Sequence, residues 1–153
     1  MKRIVMYVAT LGLLTLAPVK DADIGKLRPV EVVLICQQDD MVVLSTDTDD
    51  VGQGTDAMTA LENLKATTPG TIYLDTAKYL LLTEGAEDAV QQLKSVLKKS
   101  CFVCMADREV DLKTAAKYLS VHGDLPRLKD WKTGEELPCL KVEEKRLFLT
   151  KSS

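Results

Sequence analysis

Aromatic residues are scarce in this chain, where they make up 5% of 153 residues. The net charge is −3 at pH 7, and the basic pairs Lys98-Lys99 and Lys145-Arg146 are short. A nucleic-acid surface needs clustered Lys and Arg, and single-strand binding also needs aromatic platforms on which bases stack. We therefore interpret both basic pairs as solvated ends of secondary-structure elements, and we expect no nucleic-acid partner.

Histidine is also scarce, since His122 is the only one in the chain. It falls in the last turn of a predicted helix, where a cation is favourable, and no Ser or Cys motif points to it. Asp107, Glu109 and Asp111 form a small acidic group, but carboxylates beside a helix start commonly act as caps. None of these residues pairs as general acid and base. We therefore predict a non-enzymatic protein without catalytic, cofactor-binding or metal-binding residues.

The apolar run near the amino terminus is short for a membrane span. Lys2-Arg3 precedes fourteen uncharged residues, IVMYVATLGLLTLA, and Pro18 follows them. A short positive region before an apolar run of this length is typical of a secretory signal. We therefore predict that residues 1–20 are a signal peptide or an N-terminal membrane anchor, and that the protein is exported and membrane-associated or extracytoplasmic. The alternative is a cytoplasmic protein in which residues 3–10 form a buried first strand.

Four cysteines, Cys36, Cys101, Cys104 and Cys139, permit three complete disulfide pairings in an exported protein. All four lie in apolar, strand-like segments, where a free cysteine behaves as a small hydrophobe, so we expect free thiols. The spacing of Cys101 and Cys104 matches a thioredoxin-type pair, but such a pair lies at a strand-to-helix turn. Here the segment is typical of a strand interior, in which residues three apart face opposite sides. A thiol-redox protein using Cys101 and Cys104 remains the alternative function, and a zinc site would need Cys36 and Cys139 at a spacing without a signature.

Apolar periodicity predicts strands and helices that alternate along the chain. The predicted strand segments are PVEVVLIC (29–36) and MVVLSTD (41–47), which form a hairpin, TIYLDTAKYLLLTE (71–84) with a break near Asp75-Thr76, CFVCMAD (101–107), and two runs around Glu144-Lys145. The predicted helices cover 55–65 and 86–99, and a third has Asp111 as N-cap and Gly123 after its last turn. The fold class is therefore α/β, with α+β as the alternative, and a mixed β-sheet carries about three helices. Residues 21–153 form one such domain.

The segment LSTDTDDVGQGTDAMTALENL (44–64) places four aspartates and two glycines before a helix. It fails as a calcium loop, because Val51 and Met58 stand where an EF-hand loop needs oxygen ligands. It also fails as a dinucleotide cradle, because each aspartate would repel a pyrophosphate by about 1–4 kcal/mol. We therefore expect no metal or cofactor at this segment, and no nucleotide among the partners of the protein.

We interpret the same segment as a turn followed by a helix start. Gly52 and Gly54 are expected to allow the bend, and Thr55 is expected to cap the helix. Asp56 would complement the positive end of the helix dipole.

Four stretches are similar to the N-terminal region of the spore germinant-receptor C subunits, the lipoprotein partners of two membrane subunits in spore-forming Firmicutes. The stretches are DADIGKL (21–27), GTDAMTALENL (54–64), GTIYLDTAKYLLLTEGAED (70–88) and ELPCLKVEEKRLFL (136–149). The chain departs from the family in that no cysteine follows the apolar leader, so lipid attachment has no acceptor there. The family supplies no established catalytic residues. The resemblance implies an exported binding or assembly domain, linked to sporulation or germination membrane complexes, with other protein subunits as partners.

Overall fold

A computed structural model describes residues 27–143 and 146–150, in which strands alternate with three helices. The strands are β1 (Leu27–Pro29), β2 (Val32–Gln38), β3 (Met41–Thr46), β4 (Val51–Gly54), β5 (Thr71–Tyr73), β6 (Tyr79–Leu82), β7 (Phe102–Ala106), β8 (Cys139–Glu143) and β9 (Arg146–Thr150). The helices are α1 (Ala57–Thr67), α2 (Glu87–Leu93) and α3 (Leu112–His122), and a 3₁₀ turn covers Leu74–Thr76. The predicted leader, residues 1–20, lies outside the described residues.

Seven strands form one mixed sheet in the order β4-β3-β2-β6-β7-β8-β9. Its centre is parallel, from β2 through β6 and β7 to β8. The pair β3 and β4 extends one side of this centre in antiparallel fashion, and β9 extends the other. Strands β1 and β5 form a separate parallel pair. The predicted mixed α/β sheet with three helices is therefore confirmed.

Two apolar cores lie on opposite faces of the sheet, because successive side chains of a strand point to opposite sides. In β2, Val33 and Ile35 face the first core, whereas Val32 and Leu34 face the second. Helices α1 and α2 contribute to the first core, and α3 contributes to the second. The fold is thus a three-layer α/β/α arrangement, with two helices on one face of the sheet and one on the other.

Helix α2 is shorter than the predicted range of residues 86–99. It ends at Leu93, after which Val96 N–H donates to the carbonyl oxygen of Leu93 at 2.9 Å in a tighter turn. Leu97 nevertheless remains 4% exposed in the first core. Apolar residues therefore continue to face the core beyond the end of the helix, while local turn geometry ends the helix early.

Gly123 follows α3 as predicted, but it does not adopt the left-handed conformation of a typical C′ glycine. Its φ is −89°, and it occupies the C-cap position. A Cβ at this position would lie 2.7 Å from the carbonyl oxygen of Leu119. Close approach to the helix end therefore accounts for the glycine.

The connection from α3 to β8 passes the amino end of β7 and changes faces of the sheet. Val103 N–H donates to Pro126 O at 2.9 Å, and Leu128 N–H donates to Cys101 O at 2.7 Å. Trp131, which is 3% exposed, then packs into the first core and anchors this loop. Within the described ranges, no helix has the length and apolar character that crossing a bilayer requires.

Candidate functional site

The aspartates at 47 and 50 hold the backbone where β2 begins. Asp47 Oδ1 accepts hydrogen bonds from the N–H groups of Glu31 and Val32 at 3.0 and 3.1 Å. Asp50 accepts from the guanidinium of Arg28 at 3.0 Å. Among the described residues, no three His, Cys, Asp or Glu side chains are grouped so as to hold a metal ion. The hydrogen bonds of these two carboxylates stabilise the local structure around the start of β2.

Asp56, and not Thr55, is the N-cap of α1. Asp56 has extended backbone geometry, with φ −145° and ψ 170°, and its carboxylate accepts from Thr59 N–H at 2.8 Å. This backbone hydrogen bond is the main reason that the pKa of Asp56 lies below its usual value. The predicted Thr55 cap is wrong because the helix begins one residue later than expected, at Ala57.

Gly52 and Gly54 lie within strand β4, so the prediction that they allow a bend is also wrong. A Cβ on Gly52 would lie 2.2 Å from the carbonyl oxygen of Ala60. A Cβ on Gly54 would lie 2.4 Å from the backbone nitrogen of the same residue. Both glycines therefore let helix α1 approach the strand closely.

Cys101 and Cys104 lie on opposite faces of the sheet, as predicted. Cys101 is 1% exposed in the first core, and Cys104 is fully buried in the second. Burial raises the pKa of each thiol to about 12. Because a redox-active thiol needs an accessible, low-pKa environment, this geometry gives no support to the thiol-redox alternative.

The remaining cysteines are also free thiols, so all four have the predicted state. Burial raises the pKa of Cys36, and a hydrogen bond from Thr83 and the charge of Arg108 partly offset this rise. Cys139 is half-buried at the start of β8, where burial and the neighbouring Asp107 raise its pKa. Neither thiol is activated as a nucleophile.

His122 and the acidic group near α3 have structural contacts. The His122 ring stacks on Tyr118 with 4.3 Å between ring centroids, and its Nδ1 lies 3.1 Å from the Tyr118 carbonyl oxygen. Asp111 caps α3 by accepting from Thr114, which lowers its pKa. The interpretation of Asp111 as a cap is thus confirmed.

A crevice lies between the carboxyl ends of β6 and β7, because the following helices pack on opposite faces of the sheet. Such a point is where open α/β sheets commonly bind ligands. The cavity measures about 360 Å³ and is lined by Thr83, Glu84, Gly85, Ala106, Asp107 and Arg108. Thr83 and Arg108 hydrogen-bond to the backbone of Gln37 at 3.3 and 2.7 Å. The lining residues form no hydrogen-bonded nucleophile–base pair among themselves, so the crevice indicates no class of reaction.

Helix α1 covers the backbone of edge strand β4. Asn63 donates to the carbonyl oxygen of Gln53 at 2.5 Å, and Thr67 lies 3.5 Å from the carbonyl oxygen of Val51. Unpaired backbone groups of an edge strand are otherwise a template for another strand. This edge is therefore protected against such pairing.

The opposite edge, β9, has an apolar sequence and less protection. Leu147, Phe148 and Leu149 are all half-buried, and no strand of the described ranges pairs with the outer side of β9. Leu149 N–H points away from β8 and donates to the Tyr118 hydroxyl at 3.1 Å. By the alternation of antiparallel pairing, the N–H of Leu147 faces the same outer side. We name residues 146–150 the β9 edge.

A concentration of positive charge was not apparent from the sequence. Two cavities of about 270 Å³ each lie near the amino ends of β6 and β7. Their basic lining residues are Lys78, Lys94, Lys98, Lys99, Arg127 and Lys129. The sequence contains only the Lys98-Lys99 pair as a signal, because the fold is needed to bring Lys78 and the segment of Arg127 and Lys129 to residues 94–99.

Comparisons of the chain with family models, with curated proteins and with solved structures return no match.

Proposed function

We propose that this protein is a non-enzymatic assembly domain, and that the β9 edge joins it to a second copy of the chain by strand pairing. The observation that carries the proposal is the contrast between the two edges of the sheet. At β4, side chains of α1 cover two outer carbonyl groups, whereas at β9 the Tyr118 hydroxyl covers one outer N–H group, that of Leu149, and three consecutive apolar residues are half-buried. An apolar, unpaired edge strand is a strong template for adding a strand.

A second copy is the favoured partner because the β9 edge is complementary to itself. In an antiparallel pair centred on Phe148, Leu147 lies opposite Leu149 of the other copy, and Arg146 lies opposite Thr150. No like charges then face each other, and apolar pairs across strands contribute about 0.2–1 kcal/mol each. The outward backbone groups of Leu147 and Leu149 would exchange hydrogen bonds with their counterparts, with the Leu149 N–H leaving the Tyr118 hydroxyl for the partner strand.

The setting of this assembly is a further part of the proposal. The apolar leader and the resemblance to the germinant-receptor C subunits support an exported, membrane-associated complex linked to sporulation or germination, containing other protein subunits. Intact-mass measurement on membrane and soluble fractions of sporulating cells tests this setting. Recovery of the uncleaved protein from the cytoplasmic fraction alone would contradict it.

Phe148→Lys tests the assembly, because it would place two lysines opposite each other at the centre of the pair. We expect the dimer dissociation constant of the Phe148→Lys variant to exceed that of the wild type by about ten-fold or more, since like charges directly opposite destabilise a strand pair. Sedimentation velocity over a range of protein concentrations measures this change.

Val51→Lys is the matched control, because Val51 is 48% exposed on the covered edge strand β4. It should leave the dimer intact, and circular dichroism should show that both variants fold. A wild-type protein that is monomeric at every concentration, or a Phe148→Lys variant that remains dimeric, would refute assembly through the β9 edge.

A further inference from the structure

The first of the two positively charged cavities combines three cations with two aromatic rings. We name it the basic pocket; its lining includes Lys78, Tyr79, Lys98, Ser100, Phe102 and Arg127. At about 270 Å³ it is close to the lower limit for small-ligand sites. It lies at the opposite end of the parallel strands from the crevice at Thr83 and Arg108, and it is distinct from the β9 edge.

Backbone hydrogen bonds fix the segments that carry the three cations. Phe102 N–H donates to the carbonyl oxygen of Lys78 at 2.7 Å, which joins the starts of β6 and β7. Cys101 N–H donates to Lys98 O at 2.9 Å, and Leu128 N–H donates to Cys101 O at 2.7 Å. The backbone frame of the pocket is therefore preorganised, which reduces the entropy that binding would cost.

The positive charge of the pocket is only partly neutralised within the described residues. Lys78 forms an ion pair with Glu31 at 2.8 Å, but neither Lys98 nor Arg127 pairs with a described carboxylate. The neighbouring cavity adds three lysines, Lys94, Lys99 and Lys129, which have no described ion pairs either. Like charges held on one surface repel each other, and a bound anion relieves that repulsion.

The remaining lining residues supply an apolar wall and hydroxyl donors. The rings of Tyr79 and Phe102 stack with centroids 6.0 Å apart, and the Arg127 guanidinium carbon lies 5.7 Å from the Phe102 centroid. This cation–π contact holds the planar guanidinium over the pocket. Burial raises the pKa of Tyr79. The exposed Ser100 side chain adds a hydroxyl donor to the lining.

We propose that the basic pocket binds a phosphate-bearing ligand. Its phosphate oxygens accept hydrogen bonds from Arg127, Lys98 and Ser100, and its apolar part lies against the two rings. Guanidinium groups suit this role because their fork of donors matches phosphate geometry. A second phosphate reaches towards Lys99 and the neighbouring cavity. A nucleotide ligand would depart from the expectation that the protein binds none; that expectation rests on residues 44–64, whereas this pocket is assembled from other segments.

Two sources can supply this chemistry, a soluble nucleotide or a phospholipid headgroup, and separate arms of one experiment distinguish them. The full chain is titrated calorimetrically with sodium pyrophosphate and with ATP at low ionic strength. In parallel it is mixed with phosphatidylglycerol and with phosphatidylcholine vesicles, and co-flotation is measured. We expect binding to a soluble probe or to the anionic vesicles, and we expect added salt to weaken it.

The Lys98→Gln/Arg127→Gln double variant should weaken that binding by about ten-fold or more, because it removes two charge-assisted contacts. The matched control is Lys65→Gln/Lys141→Gln, which removes the same charge at two exposed positions outside the pocket and should change affinity by less than about two-fold. If the double variant loses binding only to the anionic vesicles, the ligand is a lipid headgroup. If it loses binding to pyrophosphate or ATP, the ligand is nucleotide-like. Absence of binding to every probe, or equal loss in the control, would overturn the proposal.

Discussion

Gly52 shows at the scale of a single residue how one amino acid can have two opposite explanations. Glycine beside aspartates in a sequence usually indicates a turn, because glycine adopts backbone angles that other residues avoid. In the structure Gly52 is buried in β4, and a Cβ there would lie 2.5 Å from the Leu64 Cβ atom. The sequence pattern identified the two glycines as important, but their reason lies in a contact with a helix that follows later in the chain.

Gly52→Ala should lower the free energy of unfolding by about 3 kcal/mol, because the new methyl group overlaps helix backbone that cannot move freely. Gly134→Ala is the control: its φ is 89° and nothing lies within 4 Å of the added Cβ. That substitution should cost about 1 kcal/mol from backbone strain alone. Urea denaturation of both variants measures the difference. Equal losses would show that the close approach of α1 to β4 is not the constraint at Gly52.

At the scale of elements, the sequence predicted which segments form helices and strands better than it predicted where those elements begin and end. The β2–β3 hairpin, the break near Asp75-Thr76 and the N-cap of α3 at Asp111 are as expected, because each follows from a local sequence pattern. The end of α2 and the cap of α1 differ by a few residues, since they depend on which backbone groups meet locally. The basic pocket could not be predicted, because Lys78 and Arg127 become neighbours only through sheet order and the bridge between Phe102 and Arg127.

The start of helix α1 gives a prediction that separates the two candidate caps. Asp56→Ala should lower stability at pH 7, whereas Thr55→Ala should have little effect, because only Asp56 accepts from Thr59 N–H. The pKa of Asp56 is lowered on folding, so its contribution is present above the unfolded pKa of about 3.8 and is lost as pH falls through the folded value. Thermal unfolding of wild type and both variants at pH 7 and below pH 4 tests this. A difference between Asp56→Ala and wild type that is the same at both pH values would contradict the assigned cap.

At the scale of the whole molecule, one sheet separates two cores, with Cys101 buried in the first core and Cys104 buried in the second. Leu80 and Leu82 of β6 face the first core, and Leu81 faces the second, so both cores share the same strands. Neither layer of helices can be removed without exposing a face of the sheet to water, at about 25 cal/mol for each Å² of apolar surface. We therefore infer that the two cores unfold together.

The labelling rates of Cys101 and Cys104 test this cooperativity. Both side chains are buried, and burial raises the pKa of both thiols to about 12, so native protein at neutral pH should react with neither. Folding raises the pKa of each thiol from 9.0 to about 12. The contribution of this pKa shift to stability is therefore fully present below pH 9 and is lost as pH rises towards 12. In rising urea at pH 7.5, mass spectrometry of alkylated peptides should show equal labelling of both cysteines, with the midpoint of global unfolding. Labelling of Cys104 at lower urea than Cys101 would mean that α3 separates from the sheet first, and the single cooperative unit would have to be abandoned.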